Sequence, residues 1–371
     1  MKDWTLYFVV PRIDRVGGYE KQSVALTQAL LRRDLPLRIL TDRPAHCLDV
    51  LPPPVRTCCH SITAASLVGV YSAFRQEFRT GPAVVHVHAL YRFSALAILA
   101  ALRQRIPVLL KLPSSTDVQT LFQPRRFSLR LFRPALQRID RFICPSRQVA
   151  EELQSYLRRK EAGVYVPNGV DTGRFAPASA AQRRSLRQKL GIPFANIILF
   201  VGRHITLKGG DVLLQAFAQR RAGLPPNTGL VFVGDGDQKT PWRLLARNLG
   251  LETSVLFVGT QATPEEFYQA ADGFTLPSLR EGMPNTLLEA MASGLPCLAS
   301  DTGGIRDVFG ERFARQLVAP GDIAALAQRL PDLLVPEAPA LGAQMRAHAE
   351  TYFSIEAVAQ QLLDLYQQLL P

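Results

Sequence analysis

Glu281-Gly-Met-Pro-Asn-Thr-Leu-Leu-Glu289 sets two carboxylates eight positions apart around what reads as the mouth of a helix. The run Asp272 to Pro277 is short, apolar and ends in a turn, while Thr286 to Ser293 has helical composition closed by Gly294 and Pro296. The segment should therefore be a strand, a loop and a helix start. Backbone N–H groups at such a start lack internal partners and face the positive end of the helix dipole, which suits phosphate. Pro284 has no N–H, but its fixed φ fits a first helical turn, leaving Gly282, Met283, Asn285 and Thr286 as candidate donors. Glu289, inside the helix, could accept two hydrogen bonds from a vicinal diol such as ribose. Glu281, on the loop, would sit nearer a reacting centre. The plainer readings are a charge complementing the dipole at Glu281 and a solvated helix residue at Glu289.

A second cluster supplies the opposite charge. Gly202-Arg203 and Lys208-Gly209-Gly210 follow the apolar run Asn196 to Val201 and precede a helix-like Asp211 to Arg220. Two cations on a strand-to-helix loop occupy the usual ligand position at the carboxyl edge of a parallel sheet. Arg offers a diphosphate a planar fork and Lys a compact point charge, although loop cations are commonly just solvated. Gly17-Gly18, between a first strand and a helix beginning near Tyr19, would permit close backbone approach to a ligand or form a simple turn. His86 and His88 share one face of a strand, where core histidines are common, and His88 at the strand's end is the better candidate for a cleft. Asp235-Gly236-Asp237 has the Asp-x-Asp form that binds a divalent cation and diphosphate. With Arg203, Lys208 and helix amides already positive, no metal is required, and none is expected. No G-x-G-x-x-G follows either half's first strand, which disfavours a nicotinamide enzyme.

Taken in order, these pieces resemble glycosyltransferase family 4, the retaining nucleotide-sugar enzymes of the GT-B fold. The resemblance rests on Gly17-Gly18-Tyr19-Glu20, His86-Val-His88, Cys144-Pro-Ser146, Val166-Pro-Asn-Gly-Val-Asp171, Val201-Gly-Arg203 with Lys208-Gly209, Val233-Gly-Asp-Gly236, and Pro277-Ser278 through Gly303-Gly304. It implies an α/β chain of two doubly wound Rossmann-like domains facing across a central cleft. It also implies transfer of a hexosyl unit from a nucleoside diphosphate sugar, UDP-sugar favoured over GDP-sugar, to a hydroxyl of a glycan or lipid-linked acceptor. Arg203, Lys208 and the amides after Glu281 would stabilise the departing phosphate, Glu281 would hold the donor sugar, and Glu289 would grip ribose. Gly17, Gly18, Gly234, Gly236, Gly259, Gly282, Met283, Pro284, Asn285 and Thr286 complete the implied donor site. Many relatives carry a histidine in the loop after the strand that follows His88; this chain reads Leu110-Lys-Leu-Pro-Ser-Ser-Thr-Asp117. Ser114, Ser115, Thr116 and Asp117 are the groups left there for sugar hydroxyls. A nucleotide-sugar epimerase of the same fold and a transferase to a small soluble acceptor are the alternatives.

Positioning such a site requires repeated β-α units, and apolar runs do alternate with helix-like stretches. Strands are expected at Leu6 to Val10, Arg38 to Thr41, Val84 to His88, Val108 to Leu112, Arg141 to Cys144 and Gly163 to Val166. A second set is expected at Ile197 to Gly202, Leu230 to Gly234, Val255 to Gly259, Gly273 to Leu276, Pro296 to Ala299 and Gln316 to Val318. A linker is placed near Asn168 to Pro193. Ile355, Val358, Ala359, Leu362, Leu363, Tyr366 and Leu370 share one helical face, and GT-B relatives return such a final helix to the first domain. The domains expected are 1–172 plus 353–371, binding acceptor, and 173–352, binding the nucleotide sugar.

At 371 residues with 47% hydrophobic content, the chain can bury two domain cores. Its five cysteines, Cys47, Cys58, Cys59, Cys144 and Cys297, form neither a C-x-x-C pair nor a zinc spacing and fit a reducing compartment. The first strand is too short for a signal peptide and no apolar run could span a bilayer, so a cytoplasmic protein is expected. Residues 1–190 hold 30 Lys and Arg against 13 Asp and Glu, whereas residues 191–371 hold 13 against 18. The arginines between Arg125 and Arg147 alternate with Phe122, Phe127, Leu129, Leu131 and Phe132. Such a segment could lie on an anionic membrane, making the protein peripheral on the inner face of the cytoplasmic membrane, or be an ordinary amphipathic helix. Nucleic acid is not expected as a partner, since no RNA-binding motif or zinc finger accompanies the charge.

Overall fold

Alternation of side chains along the first strand builds two cores at once: Tyr7 and Val9 enter one apolar cluster, Leu6, Phe8 and Val10 the other. In the computed structural model, which describes residues 4–370 except 12, 14–17, 44, 80, 123–131, 133 and 158–161, this strand lies within an all-parallel sheet. Its strands are β1 (Thr5–Val9), β2 (Leu37–Thr41), β3 (Cys59–Ser61), β4 (Ala83–Val87), β5 (Val108–Lys111), β6 (Arg141–Cys144) and β7 (Gly163–Tyr165). They are ordered β3-β2-β1-β4-β5-β6-β7, so the topology reverses between β1 and β4. Loops leaving β1 and β4 diverge to opposite faces there and open the carboxyl edge to ligands.

A second parallel sheet repeats the plan with β8 (Asn196–Val201), β9 (Thr228–Val233), β10 (Val255–Gly259), β11 (Gly273–Leu276), β12 (Cys297–Ser300) and β13 (Leu317–Val318). Its order is β10-β9-β8-β11-β12-β13, with the reversal between β8 and β11. The chain divides into two compact units, Met1–Gly169 with Ile355–Pro371, and Val170–Ser354. The fold is a two-unit α/β arrangement of the GT-B type.

The final helix, Ile355–Gln367, belongs to the first unit because its apolar stripe needs a cover. Ile355, Val358, Ala359, Leu362, Leu363 and Tyr366 are buried against β1, β2 and the helix Gly18–Leu31. Glu356 fixes its orientation through ion pairs with Arg32 and Arg33. Leu370 lies beyond the helix end and is only partly buried.

Several expected elements are corrected. β3 was absent from the expected strands; it is a three-residue edge strand with two exposed positions and shows no alternation to read. The stretch assigned to a linker holds a ten-residue helix, Ala180–Lys189, started by a Ser179–Gln182 capping box. The first helix begins at Gly18, next to the expected start near Tyr19. Gly17 and the run Arg125, Arg126, Phe127, Leu129, Arg130, Leu131 and Arg133 lie outside the described residues. No described helix is long and apolar enough to cross a membrane. Cys144 and Cys297 are buried, and all five cysteines are free thiols.

Asp272, immediately before β11, locks the helix Ala180–Lys189 to the second sheet. It accepts from Arg183 at 2.9 Å, Arg187 at 2.7 Å and the Ile197 backbone N–H at 2.8 Å. Removing it strands two guanidinium groups and a backbone donor, for which about 2–4 kcal/mol is expected. Asp272→Ala should lower the unfolding midpoint of the second unit clearly, and Asp272→Asn less so; an unchanged midpoint in the alanine variant refutes this role.

Candidate functional site

The carboxyl edge of the second sheet is organised where the loops after β8 and β11 meet. The loop after β8 makes a tight turn, Thr206–Lys208, and passes into the helix Gly210–Arg220 through Gly209 at φ 66°. A Cβ at Gly209 would stand 2.1 Å from the Pro277 carbonyl oxygen, so only glycine lets the loops approach this closely. The Leu279 N–H donates to the Leu207 carbonyl at 2.8 Å, joining the two loops through backbone. Above this seam, Lys208 Nζ lies 2.5 Å from Glu281 Oε1, and Ser278 Oγ donates to the same oxygen at 2.7 Å. The Glu281 side chain is only 9% exposed and that of Lys208 17%, so the pair is largely desolvated. Lys208 and Glu281, read from sequence as separate groups, are thus direct partners. Arg203 stands exposed on the same loop, and no ion pair among the described residues engages it.

Glu281 leads into the helix Asn285–Ala292. Pro284 is its N-cap, with φ −80° and ψ 113°, rather than a first-turn residue; its extended ψ turns the chain from loop to helix. Gly303 and Gly304 press on the loop from below, the Gly304 N–H donating to the Gly282 carbonyl at 2.6 Å. A Cβ on either would reach within 1.9–2.2 Å of the Glu281 or Gly282 carbonyl oxygen. Met283 is buried, Asn285 is partly exposed, and the Thr286 hydroxyl is buried without a hydrogen-bond partner. Glu289 Oε2 accepts from the Tyr268 hydroxyl at 2.7 Å. Burial first, and then the Glu289 charge, hold that phenol far above its ordinary pKa, so it remains a donor. Tyr268 was invisible in the sequence, because nothing local connects it to a carboxylate on another helix.

The turn after β9 interlocks with the loop after β8 at His204. The His204 N–H donates to the Asp235 carbonyl at 2.9 Å, and the His204 carbonyl accepts from the Gln238 N–H at 2.8 Å. Gly234 lies so close that a Cβ would stand 1.9 Å from the Gly202 carbonyl oxygen. The imidazole is enclosed by Phe200, Phe232, Trp242 and Phe257, at ring distances of 5.0–6.2 Å, and neither ring nitrogen has a partner. Burial pulls its pKa down to about 4. Asp235 is engaged by Lys239 at 2.7 Å and by the Gly236 N–H at 2.8 Å, which together hold its carboxyl below the ordinary range. Asp235 therefore acts within the turn. Among the described residues no group of three or more His, Cys, Asp or Glu is arranged to hold a metal. Gly259, at the end of β10, accepts from the Gly234 N–H at 2.8 Å.

In the first unit His88 is a core residue, not a surface contact. It is 1% exposed, packs on Phe8 at 4.4 Å, and its Nδ1 lies 2.7 Å from Ser23 Oγ. Ser23 donates its single proton to the Tyr19 carbonyl at 3.0 Å, so the His88 Nδ1–H is the donor in the second bond. His86 is likewise enclosed, with Nδ1 2.6 Å from the Tyr366 hydroxyl on the returning helix. Ser114 Oγ donates to Asp117 Oδ2 at 2.6 Å, which ties these two acceptor candidates to each other. Ser115 opens the helix Ser115–Phe122.

Both halves of the chain match known sequence families. Residues 16–174 match the family described as Glycosyltransferase Family 4, and residues 182–351 that described as Glycosyl transferases group 1. The chain belongs to glycosyltransferase family 4. The D-inositol 3-phosphate glycosyltransferase of Corynebacterium jeikeium is 34% identical over 236 residues, 60% of this chain and 56% of that protein. The chain thus spans about half the length of the curated relatives it matches. Anabaena Alr3699/HepE in complex with UDP-glucose superposes with a TM-score of 0.81 at 20% identity, over 98% of this chain and 99% of that one. Sucrose-phosphate synthase of Thermosynechococcus elongatus follows with a TM-score of 0.77 at 23% identity, over 98% of each chain. These likenesses establish the shared fold.

In a glycosyltransferase the charge that grows on the leaving group is the main electrostatic load. The Lys208–Glu281–Ser278 cluster is preorganised just before a helix N-terminus. Lys208→Ala and Glu281→Gln should each lower turnover by about a hundredfold or more while leaving the circular dichroism spectrum unchanged. Near-normal activity in either variant would remove that residue from the mechanism.

The family 4 protein should also lose stability in mild acid. His204 has a folded pKa near 4 against an ordinary value of about 6.5, so the unfolded chain binds the proton more readily between them. Stability is full above about pH 6.5 and falls as pH drops toward 4. His86 and His88, both held well below their ordinary value by burial, act in the same direction. Melting temperatures measured across this range should decline toward acid, and His204→Phe should flatten the slope; an identical slope in that variant excludes His204 as a contributor.

Proposed function

We propose that this enzyme transfers a hexosyl unit from a UDP-sugar to an acceptor hydroxyl, with retention at the anomeric carbon and without a metal. The observation that carries the reading is the Lys208–Glu281–Ser278 cluster at the start of the helix Asn285–Ala292, with Glu289 held by Tyr268 farther along. The helix amides and Arg203 would receive the diphosphate, and Lys208 would neutralise charge as the sugar–phosphate bond breaks. Glu281, with Oε1 engaged twice, would offer its carboxylate to the sugar, and Glu289, held by Tyr268, would accept from the ribose diol. Front-side departure lets the leaving phosphate oxygen take the acceptor's proton, so no dedicated protein base is required. UDP is favoured by the likeness to the UDP-glucose complex, and GDP-sugars are the second choice.

The acceptor reading rests on the first unit. A glycan or lipid-linked hydroxyl fits its basic sequence, while the inositol phosphate relatives favour a small phosphorylated polyol as a second reading. A thermal-shift screen of uridine, guanosine, adenosine and thymidine diphosphate sugars, with and without EDTA, tests the donor half. Stabilisation by uridine diphosphate sugars alone, unchanged by EDTA, is expected. Stabilisation that vanishes with EDTA, or that follows another base, would overturn the corresponding part of the proposal, and donor isomerisation without acceptor would identify an epimerase instead.

A further inference from the structure

Lys111 ends β5 at the carboxyl edge of the first sheet and, among the described residues, is a cation without a counter-charge. Its one hydrogen bond among the described residues runs 2.9 Å to Asn168 Oδ1, a neutral amide, and no carboxylate meets it. The groups beside it cannot supply negative charge. His86 and His88 are fully enclosed and neutral, and the Lys111 charge itself helps to keep them so. Desolvation draws the ammonium's pKa down to about 8. A partly buried ammonium with only a neutral partner is a standing electrostatic expense that replacement by an apolar side chain would remove.

Its surroundings converge on one place. The first turns of the helix Gly18–Leu31 reach β4 through Ser23 and His88, at 2.7 Å. Gln22 in the same helix grips Gly169 by two hydrogen bonds, of 2.5 and 3.0 Å, while Lys111 holds the adjacent Asn168. The positive end of a fourteen-residue helix, the ends of β4 and β5 and the Asn168–Gly169 connection therefore meet at the sheet's reversal point. The loop that follows Lys111 carries Ser114, whose hydroxyl donates to Asp117 in the first turn of the helix Ser115–Phe122. Two neutral imidazoles each leave Nε2 buried and unpartnered beside this cation. The carboxylates on these elements are Glu20, in the first turn of the helix Gly18–Leu31, and Asp117, bonded by Ser114, and among the described residues neither pairs with Lys111.

We infer that Lys111 is the ionic anchor for an anionic group, a phosphate or carboxylate, on the acceptor. The inference rests on the reading of the first unit as the acceptor half and names what that half recognises. An anion bound here supplies the missing counter-charge, and the neighbouring loop polar groups are placed for the hydroxyls of the same molecule. It also accounts for a chain that lacks the loop histidine of many relatives: Lys111 provides recognition from the strand end instead.

The test uses the full chain with its nucleotide site filled by saturating UDP. Calorimetric titration with inorganic phosphate should show binding in the wild type, and Lys111→Gln, which keeps a hydrogen bond to Asn168 but removes the charge, should weaken it about tenfold or more. Lys111→Arg should retain most of the affinity, and UDP affinity should be unchanged in both variants. Displacement of the phosphate by D-inositol 3-phosphate supports a soluble phosphorylated acceptor, and displacement by phosphatidylglycerol vesicles supports a lipid head group. Absence of phosphate binding by the wild type, retained affinity in Lys111→Gln, or displacement by neither competitor overturns the inference and leaves Lys111 as a clip for Asn168. Loss of UDP affinity together with phosphate affinity would instead make the anion the donor's own diphosphate. Failure of the wild type to bind UDP at all is separate and strikes only the donor reading.

Discussion

One carboxylate oxygen, Oε1 of Glu281, holds the second unit's site together. It receives Lys208 from the loop after β8 and Ser278 from the loop after β11, and so closes the point where the sheet's topology reverses. Burying two charges costs several kcal/mol, and their attraction rarely repays more than that, so such a pair is a poor device for stability alone. On the proposed function its use would be electrostatic. A cation fixed at 2.5 Å from a carboxylate and beside a helix N-terminus is already oriented when a substrate's charge develops nearby. The surrounding glycines follow from the same requirement. Gly209, Gly303 and Gly304 sit where any Cβ would strike a carbonyl oxygen of the two loops, and a side chain there would push Lys208 and Glu281 apart.

The interlock at His204 extends the scaffold to the next turn. Two backbone hydrogen bonds and the bare faces of Gly234 and Gly236 press the loops after β8 and β9 together, and the imidazole plugs the aromatic space beneath. A phenylalanine would fill that space without leaving two buried nitrogens unpaired. The histidine is therefore held there by something other than packing optimum, and its neutral form is the one that the aromatic enclosure admits.

Most of the sheet architecture was legible in the sequence because buried parallel strands are near-continuous apolar runs, and twelve of them stand out between turn residues. β3 did not, since Cys59-His60-Ser61 has neither length nor pattern. The helix Ala180–Lys189 was hidden by its polarity, having no buried residue and being held by arginines to Asp272. In the site, the local motif from Glu281 to Glu289 could be read because helix starts and carboxylate spacing are local properties. The partners could not. Lys208 and Glu281 lie 73 positions apart, and Tyr268 and Glu289 are brought together only by packing of two helices. His88 was misplaced for the opposite reason: its position at a strand end suggested exposure, but the helix Gly18–Leu31 covers it and Ser23 bonds to it.

The two units treat charge differently, and that difference bears on their roles. In the second unit two cations near the carboxyl edge of the sheet are balanced within the protein, Lys208 by Glu281 and Lys239 by Asp235. On the proposed function its ligand chemistry would depend on helix amides, an exposed Arg203, and the redistribution of charge that is already paired. The first unit, formed from the basic half of the sequence, instead keeps Lys111 with a neutral amide for company. A balanced edge suits a leaving group whose charge grows only during reaction, because permanent excess positive charge would bind product as firmly as it bound the transition state. An unbalanced edge suits a molecule that arrives already charged and must be held by it from the first encounter to the last.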